Sequence, residues 1–134
     1  MAVRHVMVVT HDTERLARLR EFLGARGYEL SIPRDRQTLL SSMKEAAPHV
    51  LVLDLYAVDP TAAEILRSAR VEGYRGKVVV LASPSTSAAL SECWKMGIDQ
   101  VVGGLQVTGG AFDPGHVEVA IRASCEKEIV QRAS

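Results

Sequence analysis

Two short runs, Val50-Leu51-Val52-Leu53 and Val78-Val79-Val80-Leu81, contain no polar side chain, and they restrict the fold more than anything else in the chain. A strand apolar at every position cannot leave one face in water, so it suits a parallel strand covered on both faces by helices. The first run stops at Asp54, which puts a carboxylate at the carboxyl edge of such a sheet. That edge is where open α/β sheets carry ligands and chemistry. Asp is also common in turns after strands, so taken alone Asp54 reads equally as a turn residue.

The rest of the chain alternates strand and helix signals around this centre. His5 to Val9 is β-branched and apolar, and Thr10-His11-Asp12 follows as a turn in which Asp12 is placed to cap a helix. Leu16, Leu19, Phe22 and Leu23 then share a helical face, with Arg15, Arg18 and Arg20 read off it, and Gly27 is placed to stop the helix. Tyr28 to Ile32 reads as a second strand closed by Pro33, after which Asp35 caps a helix with Leu39, Leu40 and Met43 inside. After the central strand, Asp59-Pro60 opens a third helix that buries Ile65, Leu66 and Ala69. Lys77 to Leu81 is the fourth strand, followed by Ala82-Ser83-Pro84 and a helix carrying Leu90, Cys93 and Trp94. Gln100 to Val102 is a weak fifth strand, and Asp113-Pro114 opens a last helix with Val117, Ala120, Ile121 and Cys125 inside. Alternation of this kind predicts a doubly wound α/β fold, a five-stranded parallel sheet with helices on both faces.

Composition narrows the function classes. At 134 residues the whole chain, 1–134, is expected to form a single domain. Its 16 basic and 16 acidic residues cancel, so nothing steers it to nucleic acid or to an anionic membrane. The apolar stretches are too short to span a bilayer and the start, Met1-Ala2-Val3-Arg4-His5, does not resemble a signal peptide, so a cytoplasmic protein is expected. Cys93 and Cys125 are isolated and are expected to be reduced packing thiols. No nucleophile and base pair or metal cluster is visible, which speaks against an independent enzyme. Arg4, Arg34 and Arg36 read as scattered charges of a solvated face, and the glycine-rich stretch from Gly103 to Gly110 lacks the spacing of a nucleotide loop.

The strand ends that such a sheet collects at one edge are Thr10-His11-Asp12, Asp54, Ala82-Ser83 and Gly103-Gly104. On these residues the chain resembles the receiver domain of two-component response regulators. The likeness rests on Val50-Leu51-Val52-Leu53-Asp54-Leu55, on Glu64-Ile65-Leu66-Arg67 after it, and on Val8-Val9, Val78-Val79-Val80-Leu81 and Gly97-Ile98-Asp99, and so covers nearly the whole chain. The resemblance implies the flavodoxin-like strand order 2-1-3-4-5, and it makes Asp54 the candidate phospho-acceptor for a histidine kinase. It also implies a partner face on the fourth helix, fifth strand and fifth helix, here carrying Trp94, Leu105, Val107 and Phe112. Through that face the chain is expected to bind a protein partner, a histidine kinase or downstream effector, or a second copy of itself.

The departures from the family pattern are expected to matter as much. Thr10 and His11 stand where receivers carry magnesium-binding acids, leaving Asp12 alone beside them. Magnesium wants hard oxygen ligands in a strict octahedron, so no cofactor is expected, and a cation would have only Asp12 and Asp54 to hold it. Ala82 replaces the switch hydroxyl, and Gly104 replaces the lysine. Phosphoryl transfer is driven by positioning and charge stabilisation, so these losses should slow it. Two functions stand: an atypical receiver phosphorylated on Asp54 in a phosphorelay, or a pseudo-receiver that binds its partner without phosphate or magnesium. With the lysine gone, His11 is expected to lie beside Asp54 and supply the missing positive charge. No output domain is expected after the last helix, so the effect is expected to pass through a separate protein or another part of a larger gene product.

Overall fold

The structure, a computed structural model, describes residues 5–55, 62–82, 87–103 and 113–133. Strands β1 (His5–Val9), β2 (Glu29–Ser31), β3 (Val50–Asp54), β4 (Lys77–Leu81) and β5 (Gln100–Val102) alternate with helices α1 (Thr13–Ala25), α2 (Arg36–Glu45), α3 (Ala62–Val71), α4 (Ser87–Lys95) and α5 (Pro114–Ala133). All strand pairs are parallel and the order is β2-β1-β3-β4-β5, as the resemblance implied.

The two apolar runs are central strands buried at every residue. Period-two alternation splits them between two cores. Met7, Val9, Leu51, Leu53, Val78 and Val80 face one layer, with Leu39 and Met43 of α2, Ile65, Leu66 and Ala69 of α3 and Cys93 of α4. Val6, Val8, Val50, Val52, Val79 and Leu81 face the other, with Leu19 and Leu23 of α1 and Val117 and Ile121 of α5. This is why no polar residue interrupts the runs.

The helix signals act where their chemistry requires. Asp12 Oδ1 accepts from the Arg15 backbone N–H at 2.9 Å, and Asp35 Oδ1 accepts from that of Thr38 at 2.8 Å, each satisfying an orphan donor of a first helical turn. Gly27 ends α1 with a φ of +90°, a left-handed conformation that side-chain-bearing residues resist. Asp113 Oδ1 accepts from the Gly115 N–H at 2.8 Å where α5 begins. The expected cap Asp59-Pro60 lies outside the described residues. The second strand, read from sequence as Tyr28 to Ile32, pairs only over Glu29–Ser31 because it is the sheet edge and has one partner, β1.

At the amino end of the strands, Arg70 ties two loops together. Its guanidinium donates to the carbonyls of Tyr74 at 2.8 Å and Gly97 at 2.9 Å, which fixes the turns before β4 and β5. Tyr74 is buried and donates its hydroxyl to the Pro48 carbonyl at 3.0 Å, and burial pushes its ionisation well above the usual tyrosine range.

Candidate functional site

The alternation that splits the core also aims Asp54. Val50 and Val52 face α1 and α5, so Asp54, two residues on, falls on the same side of the sheet. Its side chain is only 1% exposed. A carboxylate held this far from water requires a partner, since an unpaired buried charge is very costly.

Helix α1 provides that partner. Its buried residues are Arg15, Leu19 and Leu23, spaced four apart along one stripe. Leu19 and Leu23 enter the core, and Arg15, at the end of the stripe nearest the sheet edge, reaches Asp54 with Nη1 at 2.5 Å from Oδ2. The Thr10 hydroxyl donates to the same oxygen at 2.7 Å. Thr10 is brought there by the parallel pairing of β1 with β3, in which Val9 stands opposite Leu53.

Asp12 completes the cluster from the outside. One carboxylate oxygen caps α1, while the other lies 3.6 Å from Nη2 of Arg15. Its backbone N–H donates to Thr10 Oγ1 at 3.1 Å, so the hydroxyl that bonds Asp54 is itself held in orientation. The guanidinium therefore sits between a buried carboxylate and one that is 41% exposed. Charge-assisted bonds of this kind offset the desolvation of a buried pair only when its geometry is good and further hydrogen bonds support it. Here Thr10 adds such a bond to the Arg15 contact.

The expected pairing of His11 with Asp54 is not what the structure holds. His11 is exposed, and among the described residues it has no hydrogen-bond or ion-pair partner. The cation beside Asp54 is Arg15, which had been read as lying off the buried helix face. The signal for it was present: Arg15 falls four residues before Leu19 and eight before Leu23, on the stripe that α1 buries. An arginine at the start of such a stripe, close in space to a lone carboxylate, is a pairing signal that hydrophobicity alone conceals.

The other expected positions divide by location. Ala82 is buried at the end of β4, with its N–H donating to the Val102 carbonyl at 2.9 Å, and its methyl offers no donor to the site. Gly104, Leu105, Val107 and Phe112 lie outside the described residues. Trp94 is 55% exposed on α4. Cys93 is fully buried and Cys125 partly so, both as free thiols, and burial raises the Cys93 thiol to about 11.

The donor set does not suit the magnesium ion that the receiver fold would imply. Arg15 contacts an oxygen of both Asp12 and Asp54, and a guanidinium in that place opposes a dication. Among the described residues no three His, Cys, Asp or Glu side chains gather to hold a metal.

No family model matches the chain, and no curated protein matches its sequence. Solved structures do resemble it. A CheY-like response regulator receiver domain protein from Methanospirillum hungatei is 17% identical with a TM-score of 0.75, covering 97% of this chain and 99% of that one. The chemotaxis response regulator CheY4 of Vibrio cholerae is 15% identical with a TM-score of 0.74, covering 92% of this chain and 99% of that one. Full-length FixJ from B. japonicum is 14% identical with a TM-score of 0.78, covering 95% of this chain and 60% of that longer one. At such identities these likenesses establish the fold: five parallel strands in the flavodoxin-like receiver order.

Proposed function

We propose that this chain is a receiver-like signalling module that acts through protein contacts without a phosphorylation cycle at Asp54 and without magnesium. The observation that carries this reading is the engagement of the buried Asp54 carboxylate by Arg15 and Thr10. An acyl phosphate can form only if Asp54 attacks a phosphorus centre, and a carboxylate oxygen bound by a guanidinium and a hydroxyl is a poor nucleophile. The pair also supplies, within the protein, the charge balance that metal and lysine provide elsewhere in the fold.

Support for a protein partner comes from the receiver fold and from the exposed apolar side chains on α4 and α5, Trp94 at 55% and Val119 at 64%. We assign partner binding or self-association to this face, and we assign the chain no catalysis of its own and no nucleic-acid partner. Its charges cancel, and among the described residues no helix is long and apolar enough to cross a membrane. Cytoplasmic action as a single module fits these features.

A second reading, Asp54 as a working phospho-acceptor, is favoured by its position as the last residue of β3 and by the cation beside it, which would neutralise a phosphoryl group. Incubation with acetyl phosphate and magnesium, followed by intact-mass measurement, separates the readings. The proposed function expects no added phosphoryl group in the parent protein. A phosphoryl adduct that is absent from Asp54→Asn would establish the second reading instead.

A further inference from the structure

Beside the Asp54 cluster, and separate from it, the turn after β1 and the start of α2 enclose a cleft of about 300 Å³. Its floor is apolar and comes from three elements: Val9 of β1, Leu39 of α2 and Ile65 of α3, each buried against the core. Its rim is polar, with His11 from the turn after β1 and Arg34 and Arg36 from the segment after β2. The arginines outnumber the single carboxylate of the lining, Asp35, and that carboxylate already accepts the Thr38 N–H as the α2 cap. Among the described residues Arg36 and His11 have no hydrogen-bond or ion-pair partner, and Arg34 has only the field of neighbouring Asp35.

We propose that this cleft binds a small organic anion, an oxyanion head on an apolar body of about one ring. The apolar floor would take the ring, since burying it removes hydrocarbon surface from water on both sides. Arg34 and Arg36 would hold the head, because guanidinium donors match the oxygens of phosphate and carboxylate. The volume lies at the small end of ligand pockets, which excludes a dinucleotide. Position agrees as well: the cleft lies at the carboxyl edge of a doubly wound sheet, against β1, which has β2 on one side and β3 on the other. From sequence Arg34 and Arg36 were scattered surface charges, and it is the fold that sets both beside His11.

The cleft also gives such a ligand something to influence. The cleft and the ion pair share Thr10, which lines the cleft while its hydroxyl donates to Asp54 on the other face of the sheet. Ligand binding itself does not rest on whether Asp54 accepts a phosphoryl group, and the mass experiment above is independent of it.

Titration of the ¹⁵N-labelled full chain with phenyl phosphate, benzoate, phenol and inorganic phosphate tests the proposal by NMR. Saturable amide shifts at His11, Arg34, Arg36 and Leu39 are expected with phenyl phosphate or benzoate, whichever head the rim prefers. Phenol and inorganic phosphate, each lacking one half of the ligand, should bind at least about tenfold more weakly. An Arg34→Gln, Arg36→Gln double variant should lose at least about tenfold in affinity while keeping the parent's thermal midpoint, since both side chains are exposed. No saturable shift with either organic anion up to roughly 10 mM, or equal affinity in a folded double variant, overturns the assignment.

Discussion

Replacing Arg15 by methionine keeps most of the side-chain volume and removes the charge, so it isolates what the guanidinium does for Asp54. Charges roughly 4 Å apart attract by about 4 kcal/mol at an effective dielectric constant near 20. Removing one partner of a buried pair costs about 3–5 kcal/mol, because the other charge is stranded away from water. Asp54 is 1% exposed and Arg15 6%, so solvent does little to screen the loss. A domain of ordinary stability has about 5–15 kcal/mol to lose, and Arg15→Met should therefore leave it folded but fragile. Urea unfolding followed by circular dichroism is the assay. With a slope of about 2 kcal/mol per molar, the midpoint should fall by about 2 M. Adding Asp54→Asn to Arg15→Met removes the stranded charge and should restore more than half of the lost stability, since an amide costs less to bury than a carboxylate. A single variant within about 0.5 kcal/mol of the parent would show that the pair does not hold Asp54 in the fold. Failure of Asp54→Asn to rescue would show that Arg15 stabilises α1 by packing alone.

Three further outcomes follow from features away from the pair. A Cβ on Gly76 would clash with the hydroxyl and two ring carbons of buried Tyr74, so Gly76→Ala should cost about 1–3 kcal/mol by chemical denaturation, and a variant as stable as the parent would show that the Tyr74 ring gives way at no cost. The backbone N–H of Thr38 holds the Asp35 carboxyl below the ordinary aspartate value, so its contribution is present above the unfolded value and is lost as pH falls through the folded one. Thermal midpoints of parent and Asp35→Ala should accordingly differ at neutral pH and converge in acid; a gap that persists there would mean the cap works without its charge. Because burial raises the Cys93 thiol to about 11, iodoacetamide at about pH 8 should label Cys125 first, with equal labelling only in denaturant.

What could be read from the sequence was whatever depends on neighbours along the chain. Asp12 and Asp35 cap their helices because a cap needs only a carboxylate and a backbone N–H three residues on. The central strands followed from runs too apolar to face water, helices on both faces from right-handed crossovers, and the sheet order from the receiver likeness. The pairing at Asp54 depended instead on residues 39 and 44 positions apart in the chain. Choosing among His11, Asp12 and Arg15 as its neighbour required knowing which way each side chain leaves the turn. Thr10 continues the alternation of β1 and so turns to the site, while His11, the next residue, turns out to solvent and the cleft. Charge points Arg15 to the solvated face of α1, whereas helical spacing puts it on the buried stripe with Leu19 and Leu23. Long cationic side chains can bury their stems and still reach a partner, so spacing was the better guide.

The same geometry bears on how a module of this kind can be switched. The hydrogen bonds at Asp54 join β3 to Thr10 after β1 and to Arg15 in the first turn of α1, and Asp12 bonds both Thr10 and Arg15. A change at the carboxylate would thus act first on the bonds to Thr10 and Arg15, at the start of α1. That segment is also one wall of the cleft, through Thr10 and His11. Whatever displaces Thr10, whether a phosphoryl group on Asp54 or a ligand against Arg34 and Arg36, must break or remake a bond to the same oxygen. Where a ligand in the cleft moves Thr10, the two inputs are coupled, each altering the free energy of the other by an equal amount. Asp54→Asn, which weakens the bond from Thr10, should then shift the affinity of any ligand in the cleft, and an unchanged titration curve in that variant would place the cleft and the ion pair on separate circuits.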